Sequence, residues 1–117
     1  MAGQLTTHVL DLVLGKGAAG LDVSVERLGE GGSRTRLPGA TLDAGGRGVL
    51  LTGSDFTPGH YELTFAVADY HRATGQAVAD PPFLDQIPIR FGVADASLHC
   101  HVPLLISHYG YSTYRGG

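Results

Sequence analysis

Period-2 alternation recurs along this chain, and it confines the fold to sheets with one buried face. Leu21, Val23 and Val25 alternate with Asp22, Ser24 and Glu26. Tyr61, Leu63, Phe65 and Val67 alternate with Glu62, Thr64 and Ala66, and Ile87, Ile89 and Phe91 with Pro88, Arg90 and Gly92. Successive side chains of a strand point to opposite faces, so each run predicts a strand with an apolar side in a core. Turn-rich stretches separate them, at 15–20, 29–33, 44–48, 53–59 and 79–82. Strands at this spacing predict a sandwich or barrel. Pro88 has no N–H to give a ladder, so its strand lies at an edge or turns that nitrogen to the unpaired side.

One segment departs from the alternation. Residues 69–74, followed by Gly75, read as a short helix with Asp69 as N-cap and a glycine just past its end. A helix this short is unstable alone and must dock on a sheet. No linker, repeat or low-complexity tract interrupts the chain, so its 117 residues (1–117) are read as one domain. The 18 glycines and six prolines agree with a turn-rich sheet protein rather than a helical one.

Charge narrows the partners. The formal net charge is −3, Lys16 is the only lysine, and the arginines are scattered, so no basic stripe exists for a phosphate backbone. Nucleic acid is not an expected partner. No apolar run approaches the roughly 20 residues of a membrane span, and no secretory leader is legible, so the cytoplasm is the expected compartment. The single cysteine, Cys100, excludes an intrachain disulfide and a cysteine-based zinc site, and reads as a buried thiol.

The two ends carry the candidate chemistry. Near the C-terminus, His99, His101, Pro103 and Leu105 share one strand face, and Cys100, Val102, Leu104 and Ile106 the other. The second set is wholly apolar and is the core face, so His101 points outward. Near the N-terminus, Leu5, Thr7 and Val9 alternate with Thr6, His8 and Leu10; if the first set faces the core, His8 also points outward. An outward face with Leu10, Pro103 and Leu105 is too apolar for water, and an oligomer interface covers it most simply.

These residues resemble the 5-hydroxyisourate hydrolases, a branch of the transthyretin family. The likeness lies in Leu5-Thr6-Thr7-His8-Val9-Leu10-Asp11, in Gly46-Arg47, in His99-Cys100-His101-Val102-Pro103-Leu104-Leu105, and in Tyr114-Arg115-Gly116-Gly117. Gly46-Arg47 alone reads equally well as a plain loop. The resemblance spans essentially the whole chain. It implies an all-β, transthyretin-like antiparallel sandwich of eight strands, A to H, in two four-stranded sheets, with a short helix after strand E. It also implies a homotetramer, a dimer of dimers with strands F and H paired edge to edge, and sites at the dimer–dimer interface. Its implied catalytic residues are His8, Arg47 and His101, and its implied substrate-binding residues are Tyr114, Arg115, Gly116 and Gly117. Two departures stand out. Gly117 replaces the family's last serine, and Ser107-His108 replaces its usual Ser-Pro.

The implied reaction is hydrolysis of 5-hydroxyisourate, a flat bicyclic imide, at its N1–C6 bond. The product is 2-oxo-4-hydroxy-4-carboxy-5-ureidoimidazoline. Water needs a general base, which a histidine near neutral pKa supplies. Guanidinium donors from Arg47 or Arg115 suit the oxyanion, and the second histidine orients the water or protonates the leaving nitrogen. Either histidine can take either part. No metal or cofactor is required, although His8, His99 and His101 would hold adventitious zinc if they converged. Two rival readings use the same fold. A transthyretin-like carrier would line its channel with apolar walls and a counter-charge, not with paired histidines and an arginine. An adhesion sandwich would leave the outward histidines and the Tyr-Arg-Gly ending without a use.

Overall fold

Nine strands and one helix make up a computed structural model that describes residues 3–117; residues 1 and 2 of the expected 1–117 domain lie outside the described residues. The strands are β1 Gln4–Asp11, β2 Lys16–Gly17, β3 Asp22–Leu28, β4 Arg34–Thr41, β5 Arg47–Thr52, β6 Gly59–Phe65, β7 Ile87–Val93, β8 Cys100–Ile106 and β9 Tyr111–Thr113. The helix α1, Val67–Ala73, follows β6. One sheet has the order β2-β1-β8-β9, with β5 also paired to β1, and the other β4-β3-β6-β7. The expected two-sheet sandwich with one short helix is therefore the observed fold. The ninth strand is the two-residue β2, which pairs with the end of β1.

The alternating runs meet in one core between the sheets. Leu5 and Val9 of β1, Val25 of β3, Leu63 and Phe65 of β6, and Leu104 and Ile106 of β8 are all fully buried. Cys100 is buried with them, as its place on the core face requires. Pro88 lies on β7, an edge strand of its sheet, one of the two places its missing N–H allows.

Two features were not legible as local pattern. The central pair β1–β8 is parallel, with Thr6 opposite His101 and His8 opposite Pro103, so the sandwich is not antiparallel throughout. Parallel neighbours need a long connection, and here nearly the whole chain runs between them. The β1–β5 ladder slips between Leu5 and Thr6, so that Leu5 pairs with Leu51 but Thr6 with Val49. The extra residue, Leu50, lets Leu50 and Leu51 both enter the core, while Val49 and Arg47 stay on the outer face beside Thr6 and His8.

The helix begins two residues earlier than the 69–74 expected. Its N-cap is Ala66, with no side-chain cap, and Asp69 lies within the first turn. Tertiary contacts replace the cap: the Asp85 carbonyl accepts from Ala68 N, and Val67, Ala68, Tyr70 and His71 are buried against the sandwich. The helix ends one residue short of Thr74, and Gly75 follows with φ +77°. No helix among the described residues is long and apolar enough to cross a membrane.

Candidate active site

A cleft of about 490 Å³ opens on the outer face of the first sheet. Its walls are Thr6 and Thr7 of β1, Arg47, Gly48 and Val49 of β5, His99 and His101 at the start of β8, Asp43, and the tail residues Gly116 and Gly117. The parallel register of β1 and β8 sets Thr6 beside His101, although 95 residues separate them.

His101 is held on three sides. Its Nδ1 lies 2.8 Å from Thr6 Oγ1, and Thr6 Oγ1 lies 2.6 Å from His99 Nε2. Its backbone carbonyl accepts from Gly116 N at 2.9 Å. The tail crosses so closely that a Cβ on residue 116 would lie 2.6 Å from His101 Cδ2, so only glycine fits there without moving the ring. Burial lowers the His101 pKa, and His99, His8 and Arg47 lower it further by charge, which keeps the ring neutral near pH 7.

His8 stands opposite Arg47 on the same face and borders the cleft without lining it. Its Nε2 lies 3.0 Å from the Gly45 carbonyl, which can only accept, so the Nε2 carries a proton and the Nδ1 of the neutral ring has a free lone pair. Arg47 is placed by a tight turn. Asp43 Oδ1 accepts from Gly45 N and Arg47 N, both at 2.9 Å, and Gly46 has φ +77°. A Cβ on Gly46 would lie 2.6 Å from the Val9 carbonyl, so glycine is what allows this turn to press on β1. The amide bonds from Arg47 and Gly45, with the charges of Arg47 and His8, hold the Asp43 carboxyl below its usual range. The Arg47 guanidinium makes no hydrogen bond or ion pair among the described residues, which leaves its donors for a ligand.

The tail divides. Gly116 and Gly117 join the histidine cleft, whereas Tyr114 and Arg115 line a separate cleft of about 390 Å³ with Phe91, Val93, Cys100 and Val102. The expected grouping of 114–117 at one site therefore does not hold within the chain. For Arg115 the reason is strand geometry. The register that pairs Leu104 with Thr113 and His101 with Gly116 sets Arg115 opposite Val102, on the core side of β8. Burial raises the Cys100 pKa, and the Arg115 charge offsets part of that rise.

Thr6 and Asp43 are not read as site residues in the sequence, and His99 is read there only as a possible zinc ligand. Thr6 had a usable signal, because the alternation that turns His8 outward turns Thr6 outward too. Among the described residues no group of three or more His, Cys, Asp or Glu side chains could hold a metal ion.

A model of the "HIUase/Transthyretin family" matches residues 5–116. The 5-hydroxyisourate hydrolase of Mesorhizobium japonicum is 55% identical over 116 residues, covering 97% of this chain and 92% of that protein. The structure of Klebsiella pneumoniae 5-hydroxyisourate hydrolase superposes with a TM-score of 0.80 at 30% identity, covering 98% of this chain and 99% of the other. The crystal structure of (S)-allantoin synthase matches with a TM-score of 0.91 at 38% identity; it covers 99% of this chain, which spans 44% of that longer one.

Proposed function

The chain belongs to the HIUase/Transthyretin family, and on that premise we propose that it hydrolyses 5-hydroxyisourate in purine catabolism. The observation that carries this reading is a neutral, anchored His101 in the same cleft as an uncommitted Arg47. A carrier would have little use for either group, and a cleft of about 490 Å³ suits a small bicyclic ligand.

The steps follow from the donors present. His101 takes a proton from water as the water oxygen bonds to C6. The Arg47 guanidinium receives the negative charge that develops on the carbonyl oxygen. The N1–C6 bond then breaks, and the proton held by His101 passes to N1. His8 supports the site from its border, with its free Nδ1 available to a water or to the substrate. Gly116 and Gly117 bind substrate through their backbone. Tyr114 and Arg115 serve it indirectly, by docking the tail along the neighbouring cleft.

We further propose a homotetramer, a dimer of dimers with the sites at the dimer–dimer interface. Leu10, Leu12, Val13, Leu14 and Val49 are exposed apolar side chains on or beside the histidine face, and a second copy would cover them. Sedimentation as a monomer at micromolar concentration would overturn that assembly. One core shared by both sheets supports treating 1–117 as a single domain. A lone, buried Cys100 suits a reducing cytoplasm. The activity is tested by generating 5-hydroxyisourate from urate with urate oxidase and following its decay by stopped flow. The protein is expected to accelerate the decay; a spontaneous rate in its presence would overturn the reading.

A further inference from the structure

One hydroxyl serves two imidazoles. Thr6 Oγ1 lies 2.6 Å from His99 Nε2 and 2.8 Å from His101 Nδ1, and it has a single proton to share between them. It can donate to only one of them, although its two lone pairs can accept from both. With both rings neutral, His101 Nδ1 either donates to Thr6 or accepts from it, which gives two arrangements of His101. Where it donates, Thr6 can also accept from His99 Nε2–H and send its own proton elsewhere, with His101 unchanged. In the first, His101 Nδ1–H donates to Thr6, Thr6 donates to His99 Nε2, and His101 Nε2 is a bare lone pair. In the second every bond reverses, and His101 Nε2 carries a proton and cannot act as a base.

We propose that Thr6 and His99 are positioning residues that hold His101 in the first arrangement, with its Nε2 free to accept a proton. This inference rests on the hydrolase reading and on His101 as its base. Two observations favour the first arrangement over the second. Arg47, which can only donate, shares the cleft, so a His101 Nε2–H would add a second donor there with no acceptor gained. His99 is exposed, so water satisfies the Nδ1–H it carries in the first arrangement. When His101 gains the water proton at Nε2, its Nδ1–H bond to Thr6 becomes charge-assisted and strengthens. The same hydroxyl thus selects the base and stabilises its conjugate acid.

The groups facing His101 are Thr6 and His8 from β1, Arg47 from β5, Asp43 from the turn before it, His99 from its own segment, and the tail glycines. Of these, His99, His8 and Arg47 lower its proton affinity by charge, after burial. Opposite shifts are therefore expected from two substitutions. Thr6→Val keeps the strand-favouring shape but removes the acceptor that steadies the imidazolium, so the acid limb of the kcat profile moves to lower pH. His99→Gln keeps an acceptor for Thr6 but removes the imidazole whose charge lowers the His101 pKa, so the limb moves to higher pH.

The experiment is a kcat and KM pH series on full-length wild type, Thr6→Val, Thr6→Ser and His99→Gln, paired with 15N NMR of the His101 ring. The expected result is a kcat at least about tenfold lower in Thr6→Val, with KM within about threefold and largely rescued by Thr6→Ser. The wild-type spectrum should show the Nδ1–H tautomer, and Thr6→Val a mixture. Unchanged kcat, acid limb and tautomer in Thr6→Val would overturn the proposal, as would a wild-type His101 protonated on Nε2. If wild type fails to hydrolyse 5-hydroxyisourate while the tautomer is locked by Thr6, the hydrolase reading falls and the lock stands.

Discussion

Strand β1 delivers polar side chains to two regions that treat them in opposite ways. Near its start, Thr6 lines the cleft and His8 borders it, and there Arg47 and one nitrogen each of His8 and His101 have no protein partner among the described residues. At its end, Asp11 is fully buried and its two oxygens accept from Val13 N, Leu14 N, Tyr70 Oη and Gln76 Nε2, at 2.8, 3.1, 2.8 and 2.9 Å. Gln76 Oε1 in turn lies 2.7 Å from His108 Nε2. Hydrogen-bonding capacity is consumed in the second region and kept open in the first. A satisfied buried network stabilises the fold, whereas unspent donors and lone pairs beside a cleft are what a substrate can use.

The largest expected effects fall on the open region. His101→Ala and Arg47→Ala should each lower turnover about 100-fold or more, the range for a lost base or oxyanion donor. His8→Ala should lower it too, and none of the three should unfold the protein, since all point away from the core. Kinetics on 5-hydroxyisourate with a parallel urea melt separates the two outcomes. A variant that retains wild-type turnover would remove its residue from the site, and one that melted early would break the contrast with the Asp11 region.

The converse holds at Asp11. Asp11→Ala leaves four donors without their acceptor, of which the Tyr70 hydroxyl is the buried one, and should cost about 1–3 kcal/mol in urea unfolding. Turnover per folded molecule should stay near wild type. Burial pushes the Asp11 carboxyl up, but its hydrogen bonds from Leu14, Tyr70, Gln76 and Val13 outweigh that and hold it below the usual carboxylate range. Its stabilisation is therefore present above about pH 4 and is lost as pH falls through the folded-state value. The same pairing, with burial acting first, pushes the Tyr70 hydroxyl well above the ordinary tyrosine pKa.

His71 is the exception in the satisfied region, and it sharpens the contrast. It is 2% exposed, neither ring nitrogen has a hydrogen-bond partner among the described residues, and its ring meets His108 edge-on at 4.5 Å. Burial and then the His108 charge lower its pKa, so below about pH 6.5 the unfolded chain binds a proton that the folded chain refuses. Stability should fall as pH drops from 7.5 to 5.5. His101 acts in the same direction, so the thermal melts are best compared in a His101→Ala background. There, adding His71→Leu should flatten the dependence; an unchanged slope would remove His71 as its source.

The two regions also differ in how far sequence reveals them. Alternation alone placed Val102 and Leu104 inside and His101 outside, and tied His8 to the face opposite Leu5 and Val9, because facing is a local property with a fixed period. It could not pair Thr6 with His101, since register between strands at opposite ends of the chain depends on the assembled sheet. Nor could it show that Arg115 turns toward Val102 while Gly116 meets His101, because that requires knowing that the tail continues the β8–β9 register. The Asp11 network was invisible for the same reason: its partners Tyr70 and Gln76 come from α1 and the loop after it, and Asp69, the apparent cap, is not used as one.

The smallest effect is expected at the end of the tail, where neighbouring glycines test how much slack the open region has. Gly116→Ala would set a Cβ 2.6 Å from His101 Cδ2, so the ring must shift and kcat should fall. At Gly117 nothing lies within 4 Å of an added Cβ, so a serine meets no steric obstacle. Its φ of +57° disfavours an L-residue by about 1–2 kcal/mol, while a new hydroxyl bond returns about 0.5–1.5 kcal/mol net. These nearly cancel, and the terminal backbone can relax. Gly117→Ser should therefore leave kcat unchanged and move KM by no more than about threefold, whereas Gly116→Ala moves kcat. If instead wild type is inactive and Gly117→Ser restores turnover, the missing hydroxyl is essential, and the cleft of this chain is better read as a binding site without chemistry.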